Sequence, residues 1–207
     1  DTTISMHPQF VYNHFTKEKM IVVQNNNHKV FAINAKGEEL WNIQLNSKIL
    51  GDISSIDAYK NSKYQCLFNT ESQLYLIDRN GENVDNFPIL LPSNTKVGHS
   101  LFDYNNTRKY RILIVGDDNN IYNLDKKGKK IKGWKYEKNN KRINKKLQNF
   151  RVGNKDYILA ERNNSNTQLL AINGSERVKF EQGIQFNGNP IRLDENGTLY
   201  AITSEGK

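Results

Sequence analysis

Few residues in this sequence are of a type and spacing that could do chemistry. Adjacent carboxylates at Asp117-Asp118, followed by Asn119-Asn120, could share acid–base work or hold a cation. A single cysteine, Cys66, could act as a nucleophile if it were exposed in an electropositive setting. Residues 126–147 carry eleven Lys or Arg against one acid, Glu137. That stretch stands at +10 while the whole chain is +8, so the rest of the chain is at −2. Lys129, Lys130, Lys132, Lys141, Arg142, Lys145 and Lys146, interleaved with Trp134 and Tyr136, are the candidate groups for binding a polyanion.

Each of these has a plainer reading. Asp and Asn in a row hydrogen-bond their own backbone and open turns, which makes Asp117-Asp118 a solvated hairpin. Cys66 lies inside the apolar run that continues through Leu67-Phe68 and reads as a buried core thiol. A Lys-rich stretch reads as a solvated loop, and Lys lacks the planar fork used for specific phosphate recognition. The four histidines, His7, His14, His28 and His99, have no metal-ligand spacing. There is no Gly-x-Ser-x-Gly turn and no glycine-rich phosphate loop. No catalytic constellation and no cofactor site is therefore expected.

The elements that would position such residues come from an internal repeat. A large residue, any residue, Ile or Leu, then Asp or Asn and a glycine turn recurs as Phe31-Ala32-Ile33-Asn34…Gly37, Tyr75-Leu76-Ile77-Asp78…Gly81 and Tyr122-Asn123-Leu124-Asp125…Gly128. A fourth copy is read at Leu170-Ala171-Ile172-Asn173-Gly174 and a fifth at Tyr200-Ala201-Ile202-Thr203 with Gly206. Counted on Ile33, Ile77, Leu124, Ile172 and Ile202, the steps are 44, 47, 48 and 30 residues. Alternation puts one face of a strand into a core, the Asp or Asn opens the turn, and Gly takes the left-handed position. A second landmark keeps step. Val11-Tyr12-Asn13, Ser55-Ile56-Asp57 and Leu101-Phe102-Asp103 precede the turn residue by 21, 21 and 22 residues, with another apolar strand between. Further strands are read at Tyr157–Ala160 and Pro190–Leu193. Units of roughly 45 residues with four short strands are the blades of a β-propeller. The expected class is all-β, a propeller of four to five consecutive four-stranded blades. They fall at about 8–50, 51–97, 98–146, 147–184 and 185–207, the last incomplete.

The repeat resembles the pyrroloquinoline-quinone-like propeller repeat, in which a strand with Leu-Tyr-x-Leu-Asp is followed by a turn Gly and then Trp. Tyr75–Gly81 and Phe31–Trp41 carry the likeness best. The upstream landmark resembles the calcium-loop repeat of integrin-like propellers, and Asp103-Tyr104-Asn105-Asn106-Thr107 stands where that loop would be. The chain as a whole resembles propeller proteins of Bacteroidetes-type bacteria over most of residues 10–203. The resemblance implies Asp57, Asp103 and Asn105 as the positions a cation would use. Thr107 and Arg111 replace later acidic ligands, and a calcium loop needs several carboxylate oxygens in one tight turn, so no bound metal is expected.

The functional expectation is a non-enzymatic scaffold presenting a binding surface for a protein or glycan partner. The resemblance implies a setting in the bacterial cell envelope. The alternatives are an enzyme with a site in the central channel, of the quinone-dependent dehydrogenase or hydrolase type, and a polyanion binder using residues 126–147. Nucleic acid is disfavoured as a partner. No run approaches the roughly 18 apolar residues of a membrane span. The chain reads as a piece of a longer protein and on that reading is expected to be poorly soluble or oligomeric alone.

Overall fold

The computed structural model describes residues 3–138, 140–162, 167–178, 192–193 and 199–200. The first sheet is an antiparallel meander of β1 (Gln9–Asn13), β2 (Glu18–Gln24), β3 (Lys29–Ile33) and β4 (Glu39–Gln44). The second repeats it with β5 (Leu50–Ile56), β6 (Gln65–Asn69), β7 (Gln73–Ile77) and β8 (Ile89–Leu90). The third has three strands, β9 (Ser100–Phe102), β10 (Arg111–Val115) and β11 (Ile121–Leu124). The fourth again has four, β12 (Gln148–Val152), β13 (Lys155–Ala160), β14 (Gln168–Leu170) and β15 (Glu176–Val178). β16 (Arg192–Leu193) pairs with β17 (Leu199–Tyr200). Apart from Tyr200, the fifth copy of the repeat lies outside the described residues.

Burial shows how the sheets stack. A strand in the middle of a blade touches a neighbour on each face, so it reads as an unbroken apolar run and not as an alternation. In β6 all five residues are buried; Cys66 and Phe68 pack with the first sheet, while Leu67 packs with the third. β10 does the same, with Ile112 and Ile114 toward the second sheet and Leu113 and Val115 toward the fourth. Each consecutive pair of sheets thus encloses its own core, which is the architecture of a β-propeller. Cys66 sits in that core and burial pushes its thiol up to about 12, leaving it protonated and inert at neutral pH. The far face of the first sheet carries Phe10 and Phe31, with the ammonium groups of Lys19 and Lys29 at 5.9 and 5.3 Å from their ring centroids.

The turn chemistry repeats atom for atom. Asn34 Oδ1 accepts the N–H of Lys36 and Glu38, Asp78 Oδ1 those of Asn80 and Glu82, and Asp125 Oδ1 those of Lys127 and Lys129. In the fourth blade the register differs from the one expected from Asn173. Ala171 takes the turn-opening position, with Ala171 N–H bonding Ser175 O and Gly174 N–H bonding Ala171 O, as Asp125 and Gly128 do one blade earlier. Leu170, not Ile172, is therefore the equivalent of Leu124, and Ile172 lies exposed in the turn. Gly174, at φ +86°, sets the register because the left-handed position cannot shift, whereas the capping oxygen can come from either of two residues.

The third blade departs from the expected four strands. In the second blade the chain after the turn returns as β8 and pairs with Gln73 and Leu74. In the third, the indole N–H of Trp134 takes Ile121 O at 2.7 Å, and Lys135 N–H crosses to Asn173 O in the turn of the fourth blade at 2.7 Å. Among the described residues no strand covers the outer edge of β11.

His99 is 1 % exposed at the start of the third blade, with Nε2 at 2.9 Å from Ser54 Oγ. Burial first, and then nearby Lys146, push its pKa from 6.5 down to about 3, against a smaller opposing effect of Asp52. The folded chain therefore binds a proton less readily than the unfolded chain between those values, so stability falls as pH drops below about 6.5. At up to about 1.4 kcal/mol per pH unit, roughly 2 kcal/mol is lost by pH 5. Urea midpoints between pH 7 and 5 should slope in the parent and flatten in His99→Gln; equal slopes would remove His99 as the cause.

Candidate functional site

The loops joining the first and second strands of each blade lie at one end of the molecule, together with the Asn34, Asp78, Asp125 and Ala171 turns. Asp57 and Asp103 organise two of these loops identically. Asp57 Oδ1 and Oδ2 accept the N–H of Asn61 and Ser62, both at 2.9 Å, and Asp103 accepts those of Thr107 and Arg108 at 3.0 and 2.7 Å. The third and fifth residues after each Asp adopt positive φ: Lys60 and Ser62 in one loop, Asn106 and Arg108 in the other. Asn13 closes a shorter version through Phe15 and Thr16. The geometry is that of a loop wound around one carboxylate, with both its oxygens engaged by backbone donors.

Each loop is also tied to the next blade. Tyr64 N–H reaches His14 Nδ1 at 3.1 Å, Arg108 Nη1 reaches Asp57 Oδ2 at 2.6 Å, and Arg151 Nη2 reaches Tyr104 O at 3.0 Å and Asn105 Oδ1 at 3.1 Å. Asp57 is fully buried, so the guanidinium of Arg108 supplies its compensating charge. The three positions to which the resemblance assigns a cation are thus separated. Asp57 sits at the junction of the second and third blades, while Asp103 and Asn105 share the junction of the third and fourth. Among the described residues no group of three or more His, Cys, Asp or Glu gathers in a metal-binding arrangement.

The basic stretch does not form one surface. Among the described residues it forms no strand and passes from one end of the blades to the other. Lys129 caps the Asp125 turn through its backbone N–H, Lys130 stands 5.2 Å from the Tyr122 ring, and Lys132 borders the junction with the fourth blade. At the opposite end, Arg142 pairs with Asp117, Lys145 with Glu161 at 2.6 Å, and Lys146 with Asp52 at 2.9 Å. Lys141 offers its carbonyl to Arg162. Asp117-Asp118 lie in the hairpin between β10 and β11; Asp118 accepts the Tyr122 hydroxyl at 2.7 Å.

A cleft of about 490 Å³ lies between the third blade and the fourth, reaching from Asp103 and Asn105 to Lys132 and Trp134. At its base lies Asn123. The register of the turns aligns Asn123 with Ala32, Leu76 and Leu169, so an amide stands where the other blades place an apolar side chain. It is 4 % exposed, and its Oδ1 has no hydrogen-bond partner. The hydroxyl of Tyr104, which lines the same cleft, is likewise buried and unpartnered, and burial raises its pKa well above the usual tyrosine range. Arg151 grips Asp156 through Nε and Nη2 at 3.1 and 2.7 Å. Neither Asn123 nor Tyr104 stands out among the sequence candidates. The trace was present in the repeat itself, as a polar residue at an interior strand position of one copy only.

No protein-family model matches the chain, and no curated protein matches it. Solved structures do. BBS1N, in a crystal structure of its complex with ARL6DN, superposes with a TM-score of 0.63 at 12% identity, covering 100% of this chain and 68% of that one. The Pan2 WD40 domain of Neurospora crassa gives 0.56 at 14% identity, over 97% of this chain and 60% of that one. BamB from Moraxella catarrhalis gives 0.52 at 14%, over 90% and 58%. The chain thus spans about three fifths to two thirds of each of these proteins. At such identities the likeness speaks for fold alone, and it agrees with the stacked sheets described above: this chain is a β-propeller.

Proposed function

We propose that the chain is a non-enzymatic interaction scaffold whose blades present a protein-binding surface at the end carrying the Asp57 and Asp103 loops. The observation that carries this reading is Asn123. On a frame whose first three turns repeat atom for atom, the third blade has no fourth strand among the described residues and buries an amide with an open acceptor beside a cleft. Departures from local consistency concentrate where a fold meets its ligand. Rigid sheets that carry variable loops are a common frame for recognition. BBS1N, which shares the fold, was solved bound to ARL6DN, which supports a protein as the class of partner. The resemblance of the repeat to propellers of Bacteroidetes-type bacteria supports placement in a bacterial cell envelope.

A photo-crosslinking residue tests this at two exposed sites at opposite ends, Asn154 beside the cleft and Asn144 in the connection to the fourth blade. In intact cells of the native host, Asn154 should give a discrete protein adduct and Asn144 little or none. Adducts of equal yield from both ends, or none from either, would remove the reading.

A further inference from the structure

The cleft between the third and fourth blades has a composition that selects among ligands, and the selection rests on the scaffold reading above. It is lined by Asn123 and Tyr104, whose Oδ1 and hydroxyl are both buried without a partner. Buried polar groups are nearly always satisfied, and an unmet one costs stability. Several such atoms occur among the described residues, and these two line one cleft together, where a hydrogen-bonding visitor can complete them. Its wall and rim carry positive charge in excess. Asp156 is paired with Arg151, and both Asp103 oxygens accept backbone N–H groups, whereas Lys109, Arg111 and Lys132 border the cleft.

 

Both lysines are exposed, and neither forms an ion pair with any described residue.

We infer that this cleft binds an extended peptide segment bearing a carboxylate side chain. The carboxylate lies between Lys109 and Lys132, and the Asn123 side-chain amide pairs with the peptide backbone. Two observations favour a peptide over other ligands. A sugar would want a free aromatic face, but the Trp134 indole has Gly174 packed against its ring and spends its N–H on Ile121 O. A phosphate would want converging backbone N–H groups, but the Asp103 carboxylate has taken those of its loop.

The probe is a library of extended peptides of about nine residues, scored by fluorescence polarisation on the whole chain. One pool has a central Asp or Glu and a matched pool has Asn or Gln there; oligogalacturonate and inorganic phosphate serve as competitors. The acidic pool should bind and the amide pool should not. Asn123→Leu, which restores the residue type of the other blades, should weaken binding at least about tenfold, the scale of one buried hydrogen bond. The same variant should melt several degrees higher, because the unmet acceptor is gone. Lys132→Glu should abolish binding, and Lys129→Glu, outside the cleft, should leave it unchanged. Binding indifferent to Asn123→Leu, or displaced by oligogalacturonate or phosphate, would overturn the assignment. If neither pool binds while Asn154 still crosslinks a protein, the peptide assignment falls and the scaffold reading stands.

Discussion

Replacing Asp57 with alanine is expected to destabilise the chain by about 3 kcal/mol, the low end of the range for breaking a buried ion pair from one side. The carboxylate is fully buried and has three donors: the N–H groups of Asn61 and Ser62 and the guanidinium of Arg108. Removing it strands two amides in a wound loop and leaves Arg108 without a counter-charge. Arg108 is 40% exposed and can turn to water, which holds the cost below the upper end of that range. Asp103→Ala should cost about 1 kcal/mol, since its loop lies nearer solvent and its two amides can be rehydrated. Urea midpoints at neutral pH give both numbers. The same geometry predicts no rise in melting temperature with millimolar calcium, because the oxygens a cation would need already hold backbone donors. Equal costs for the two substitutions, or a chelator-reversible gain with calcium, would show that the loops are metal sites and not self-wound turns.

What could be read from the residues was whatever repeats. Asn34, Asp78 and Asp125 mark their turns because each must cap the same two N–H groups, and Ile33, Ile77 and Leu124 mark the strand before it. Position along the chain also told that Asp103 and Asn105 share one loop. It did not tell that the stretch from Lys126 to Lys146 is divided between two ends, because charge density along a sequence is blind to the direction in which a chain crosses a blade. Counting on Asn173 misplaced the fourth turn by two residues, since a capping oxygen can be supplied from more than one position while the left-handed glycine cannot move. The missing strand of the third blade was the least legible feature. Lys135 and Trp134 spend their N–H groups on Asn173 and Ile121, and such long-range pairings leave no local pattern. Asn123 was visible as a polar residue in a strand, but its burial follows only from the stacking of a fourth sheet against the third.

Gly81→Ala is expected to cost about 3 kcal/mol, and Gly37→Ala only about 1 kcal/mol, although the two glycines hold the same place in consecutive turns. Their backbones are alike, with φ of +83° and +85°. A side chain at either position therefore carries the left-handed penalty of roughly 1–2 kcal/mol. Their surroundings differ. A Cβ on Gly81 would lie 2.8 Å from Cδ2 of Trp41 in the preceding blade, whereas nothing stands within 4 Å of one on Gly37. Trp41 is 8 % exposed and packed in the core between the first two sheets, so it cannot swing away without opening a void. Overpacking of this kind adds about 1–3 kcal/mol. The contact recurs along the chain. Gly128 meets Ile89 and Gly174 meets Trp134, so from the second blade to the fourth the turn glycine seats against an apolar side chain of the blade before it. This makes the glycine a spacer between blades as well as a turn residue. A double-mutant cycle separates the two roles. In a Trp41→Leu background the clash is relieved, and the added cost of Gly81→Ala should shrink toward that of Gly37→Ala, a coupling of about 1–2 kcal/mol between residues 40 positions apart. Additive costs would mean that Gly81 is there for its backbone alone, and the seating of each blade on the last would have to come from the apolar cores without it.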